Sequence, residues 1–91
     1  MAATVIIIVK LMPESPSTDL NKIKDSALSV LQKEGTKNIS FEEKPIAFGL
    51  IAIFAKFAWP EEKDTDLIES SLSSIENVSS ATIDDYRRAF G

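Results

Sequence analysis

The sequence predicts an α+β fold, a four-stranded antiparallel sheet with two helices on one face. Three observations predict it. Two stretches, Thr4 to Met12 and Phe48 to Trp59, are apolar enough to be strands inside a sheet. Two others carry apolar residues at helical spacing and are bounded by capping residues. The order along the chain is then strand, helix, strand, strand, helix, strand.

In the first strand, Val5-Ile6-Ile7-Ile8-Val9 is apolar on both faces, as expected of a strand with neighbours on either side. Pro13 to Ser17 is a loop of turn-forming residues, and Thr18 or Asp19 caps a helix that runs to about Glu34. Leu20, Ile23, Ala27, Leu28 and Leu31 form its apolar stripe, and Gly35 supplies its stop. Asn38 to Glu43 alternates, with Ile39 and Phe41 on one side and Ser40 and Glu42 on the other, the pattern of a strand with one wet face. The short link through Lys44 and Pro45 makes it one arm of an antiparallel hairpin.

The other arm, Phe48 to Trp59, has Lys56 as its one charge and is ended by Pro60. Ile51, Ile53, Phe57 and Trp59 fall on one face, and Phe48, Leu50, Phe54 and Lys56 on the other. Extended, the run would reach about 40 Å, so a bend or fray is expected near Lys56. Pro45 fixes a backbone angle and Gly49 admits a close approach, which leaves Phe48 constrained between them. Residue type alone favours a core Phe at a rigid hairpin. After the charged turn Glu61 to Asp64, Thr65 or Asp66 caps a second helix, with Glu69 placed to complete a capping box from Asp66. Leu67, Ile68, Leu72 and Ile75 are its buried stripe. Val78 to Arg88 is the last strand, with Ala81 and Ile83 inward.

Right-handed crossovers interleave these elements into a ferredoxin-like βαββαβ sandwich, with the first and third strands central. The 91 residues set one domain, 1–91, which buries about two thirds of its unfolded surface. A formal charge of -4 argues against an electrostatic grip on nucleic acid. No cysteine occurs, and no run is long enough to span a membrane, so a cytoplasmic protein without membrane attachment is expected.

The residues exclude much chemistry. Without His or Cys there are no Ser-His or Cys-His nucleophiles and none of the usual zinc sites. The glycines, Gly35, Gly49 and Gly91, assemble neither a phosphate-binding loop nor a dinucleotide fingerprint. The paired carboxylates Glu42-Glu43, Glu61-Glu62 and Asp84-Asp85 point to opposite faces if they lie in strands. A binding module is therefore expected rather than an enzyme, with no cofactor and no metal. The helix-free sheet face raises single-stranded RNA binding as an alternative, but only Phe48 and Gly49 of the RNA-recognition pattern are kept. Arg87, Arg88 and Phe90 make a cationic, apolar-tipped C-terminal end, which by itself reads as a solvated terminus.

The turn Pro45-Ile46-Ala47-Phe48-Gly49-Leu50 stands downstream of Met12-Pro13-Glu14-Ser15-Pro16. With the run Glu69 to Glu76 and the closing Asp84-Asp85-Tyr86-Arg87-Arg88, it resembles the archaeal type of translation elongation factor 1-beta. The resemblance covers essentially the whole chain, and the order and spacing of these weak motifs are together specific. The C-terminal exchange module of the eukaryotic homologue is similar, with Gly at the position of Ala47 and Lys at that of Arg88. The resemblance implies a guanine nucleotide exchange factor whose partner is the elongation factor 1-alpha GTPase, GDP-bound and nucleotide-free. It also implies two contacts. Pro45, Ile46, Phe48 and Gly49 would pack on the second domain of the GTPase, and Arg88 or Arg87, with Phe90 near, would reach its magnesium and phosphate region.

Overall fold

The structure, a computed structural model, describes residues 4–89. The order is β1 (Thr4–Pro13), α1 (Leu20–Lys33), β2 (Lys37–Pro45), a 3-10 turn (Ala47–Gly49), β3 (Ile51–Pro60), α2 (Thr65–Ser73) and β4 (Val78–Ala89). The strands form one antiparallel sheet in the order β2-β3-β1-β4. This is the expected ferredoxin-like arrangement, and the two most apolar strands are central because they have a neighbour on each side.

Register divides the sheet into two faces. Val5, Ile7, Val9 and Leu11 of β1 lie opposite Trp59, Phe57, Ala55 and Ile53 of β3, and all are fully buried. Ile23, Ala27 and Leu31 of α1 and Ile68 and Leu72 of α2 close over them in one core. Each large apolar side chain so covered contributes about 1.5–3 kcal/mol. The opposite face, with Ile6, Ile8, Met12, Phe54 and Ala58, has no helix over it, and these residues are half-buried.

Local chemistry sets the element ends. Asp19 caps α1 by accepting from the Asn21 N–H. Gly35, at φ 81°, ends the helix in a paired reverse turn, with Gly35 N–H on the Gln32 carbonyl and Thr36 N–H on the Leu31 carbonyl. The cap of α2 is Asp64 rather than the expected Thr65 or Asp66, and its carboxylate accepts from the Asp66 N–H. Glu69 completes no capping box; it accepts from the Ile83 N–H of β4 instead. That bond ties helix to strand, where a capping box would have tied the helix to itself.

Several other expectations are corrected. Leu67 is 51% exposed rather than part of the buried stripe, since Ile68 and Leu72 already fill the inward direction. No fray occurs at Lys56, which is paired with Ile8 on one side and Ser40 on the other, and the irregularity beside it is a register shift in β2 between Lys37 and Ser40. β3 starts at Ile51 and not at Phe48. β4 carries two register shifts, one leaving Ser79 and the other Asp84 without a partner in β1. Each shift turns the following residues over to the other face.

Candidate partner-binding site

The residues singled out by sequence lie at two opposite ends of the sheet. At one end, Pro45 closes β2 opposite Ile51, and the chain reverses through Ile46 to Leu50. The Ile46 N–H donates to the Leu50 carbonyl at 2.8 Å and the Leu50 N–H to the Ala47 carbonyl at 3.3 Å, so the turn closes on itself. Closing in so few residues forces two successive left-handed conformations, Phe48 at φ 63° and Gly49 at φ 73°. Gly49 takes this without strain. Phe48 does so at a cost of about 1–2 kcal/mol.

Phe48 is also 92% exposed. It is not the core Phe that residue type favours; the turn points it away from its own protein. A strained backbone holding a bare aromatic ring into solvent is a combination that the free chain gains nothing from. Beside it the Pro16 ring lies against the backbone of Gly49, at about 4.0 Å from where a Cβ would sit.

At the other end, β4 runs out beside the start of β1. Because Asp84 is bulged out, Arg87 falls opposite Ile6 on the open face and Arg88 opposite Val5 on the helix face. The neighbouring arginines therefore serve different surroundings. The Arg87 Nε sits 2.8 Å from an Asp85 carboxylate oxygen, and Arg88 pairs with Glu61 in the turn after β3. That turn is itself fastened. The Trp59 indole N–H donates to the Lys63 carbonyl at 3.2 Å, and the Lys63 ammonium stands 4.9 Å from the centre of the Trp59 ring. The same ammonium donates to the Glu34 carbonyl at the end of α1 at 3.1 Å.

Sequence reasoning missed this fastening, having read Glu61 to Asp64 as a plain charged turn. A signal was present in Trp59, whose buried N–H needs an acceptor, with Lys63 close behind it in the chain. Phe90 lies outside the described residues. Structure brings Pro45, Ile46, Phe48 and Gly49 together, and sets Arg87 and Arg88 roughly 26 Å away, the length of β3 from Ile51 to Trp59 at the usual strand rise.

Among the described residues no group of His, Cys, Asp or Glu is placed to hold a metal ion. No helix among them is long and apolar enough to cross a membrane. What fold and site define is an open-faced α+β sandwich that presents an exposed aromatic ring at one end and a pair of cations at the other.

Comparison with known proteins agrees. The model of the EF-1 guanine nucleotide exchange domain matches residues 6–88. Elongation factor 1-beta of Methanothermobacter thermautotrophicus is 40% identical over 85 residues, covering 92% of this chain and 94% of that protein. The protein of the same name from Metallosphaera sedula is 41% identical over 81 residues, covering 87% and 88%. That of Methanocella arvoryzae is 39% identical over 89 residues, covering 97% and 99%. The chain belongs to the EF-1 guanine nucleotide exchange domain family, and its role is guanine nucleotide exchange in the elongation factor 1 system.

Proposed function

We propose that these residues, as one exchange domain acting in the cytoplasm, promote GDP release from the elongation factor 1-alpha GTPase so that GTP can rebind. The partner is held at both ends of the sheet. Phe48, framed by Pro45, Ile46 and Gly49, is the grip on one part of the GTPase. Arg87 or Arg88 brings positive charge to the region where GDP phosphates and magnesium sit, with Phe90 beyond them.

One observation carries this reading: Phe48 is held at φ 63° with its ring 92% exposed. Strain and exposure on an aromatic side chain are both relieved if a partner pocket receives the ring, and buried aromatic anchors dominate interface energies. The grip alone would not expel nucleotide. A factor that binds the empty GTPase more tightly than the GDP form weakens GDP binding by the same ratio, since the coupling is reciprocal. The cationic end supplies that preference, because a positive charge near the magnesium site repels the ion and competes for the phosphates it neutralises.

The test is the release rate of a fluorescent GDP analogue from a matched archaeal elongation factor 1-alpha in excess GDP, with and without this protein. A saturable acceleration is expected. No acceleration with a demonstrably active GTPase would remove the reading and leave only the fold.

A further inference from the structure

We infer that Lys24 of α1 is a positioning residue for the Phe48 turn, acting through its ion pair with Glu43 at the root of the hairpin that β2 and β3 form. This rests on the exchange reading above and names a residue that serves it without touching the partner. The turn closes on its own backbone, so nothing within it sets where Phe48 points relative to the rest of the molecule. That direction is set where the hairpin leaves the sheet.

Register locates this root. Ile53 of β3 lies between Glu43 of β2 and Leu11 of β1, and toward the turn it is the last residue of β3 with a partner in β1. Beyond it the pairs Lys44 with Ala52 and Pro45 with Ile51 join β2 and β3 alone. A two-stranded ribbon twists more than a sheet does and is marginal in water by itself. At the usual strand rise of ~3.3 Å per residue the tip lies about 10 Å out, so a tilt of about 10° at the root moves Phe48 by about 2 Å. An error of that size is enough to spoil the fit of an anchor in its pocket.

Glu43 continues the inward row of β2 begun by Ile39 and Phe41, which pack on the core. Where a third apolar side chain would stand there is a carboxylate, and α1 meets it with the Lys24 ammonium. The two side chains are 27% and 38% exposed, so the pair is partly shielded from water. Among the described residues it is the one polar side-chain link from β2 to either helix. Lys44 stands 3.8 Å from a Glu42 carboxylate oxygen and 4.9 Å from the centre of the Phe54 ring, but both belong to the same hairpin. Such contacts stiffen the ribbon and cannot aim it. Pro16 approaches the backbone of Gly49, which has no side chain for it to press against.

The test has two readouts, and the first needs no partner. Residual dipolar couplings of the hairpin amides report their orientation relative to the helices. In Lys24→Ala the amides of Lys44 and of Ile46 to Leu50 should depart from the frame that fits the rest of the chain, and in Lys24→Arg they should return to it. Unchanged couplings in Lys24→Ala overturn the proposal. The second readout is a titration against nucleotide-free elongation factor 1-alpha. Lys24→Ala should weaken binding about threefold, within the range of a partly exposed ion pair. In a Phe48→Ala background the same substitution should change nothing, since no anchor is left to aim. An equal loss in both backgrounds would make Lys24 a contact or a general support, and overturns the positioning role. Lys24→Glu combined with Glu43→Lys should restore binding that either reversal alone weakens, and failure of the exchanged pair counts against the mechanism. If the unmodified protein neither binds the GTPase nor accelerates GDP release, the exchange reading falls, while the couplings still decide whether Lys24 aims the hairpin.

Discussion

The two ends of the sheet are built on opposite principles. The arginine end is braced: Trp59, Lys63 and Glu34 link the turn after β3 to the end of α1, and Glu61 holds Arg88. The Phe48 end is bare; its turn is closed by its own backbone and leaves its ring in water. At the first, the fold spends residues on fixing position. At the second it accepts strain to present a side chain. Under the function proposed above, a grip needs an unoccupied surface that a partner will cover, whereas a charge must be delivered to one place, which needs rigidity behind it.

The largest effect that would break this contrast is on the grip. Phe48→Ala should cost about 2 kcal/mol of binding, roughly thirtyfold in affinity, in a titration against nucleotide-free GTPase. Unchanged affinity would remove Phe48 from the contact. Next comes the arginine end. A chain lacking residues 87–91 should accelerate GDP release about tenfold less while binding loses distinctly less, a barrier change of ~1.4 kcal/mol. Equal losses in both would make this end a second grip.

Smaller effects concern stability. Lys63→Ala removes the cation over Trp59 and the bond to the Glu34 carbonyl, and should lower unfolding stability by about 1 kcal/mol in urea. No loss would mean that the brace is ornamental. The smallest change has the opposite sign. Phe48→Gly relieves the left-handed backbone, partly offset by glycine's freer unfolded chain, and should raise stability by roughly 0.5 kcal/mol while binding collapses. A destabilised variant would show that the ring supports the fold after all.

Much of the architecture was legible because two periods carry it. Val5 to Val9 and Ile51 to Trp59 are apolar enough to be central, and Ile23, Ala27 and Leu31 mark a helix face by spacing alone. The exposure of Phe48 was illegible through composition, since Phe is usually buried and φ at position 48 depends on how few residues close the turn; only the resemblance singled it out as a candidate. The different placement of Arg87 and Arg88 was hidden for another reason. It hangs on the bulge at Asp84, and nothing in the run Asp84-Asp85-Tyr86 announces that one residue is skipped.

The irregularities of the outer strands have a consequence of their own. β2 loses register between Lys37 and Ser40, with Asn38 at φ 58°, and ends in Glu42-Glu43-Lys44-Pro45, while β4 is interrupted at Ser79 and Asp84. A growing fibril or a stray strand needs a flat, uninterrupted backbone to zip onto, and neither border of this sheet offers one. A small protein with such borders presents little for an unfolded chain to pair with or for its own copies to stack upon.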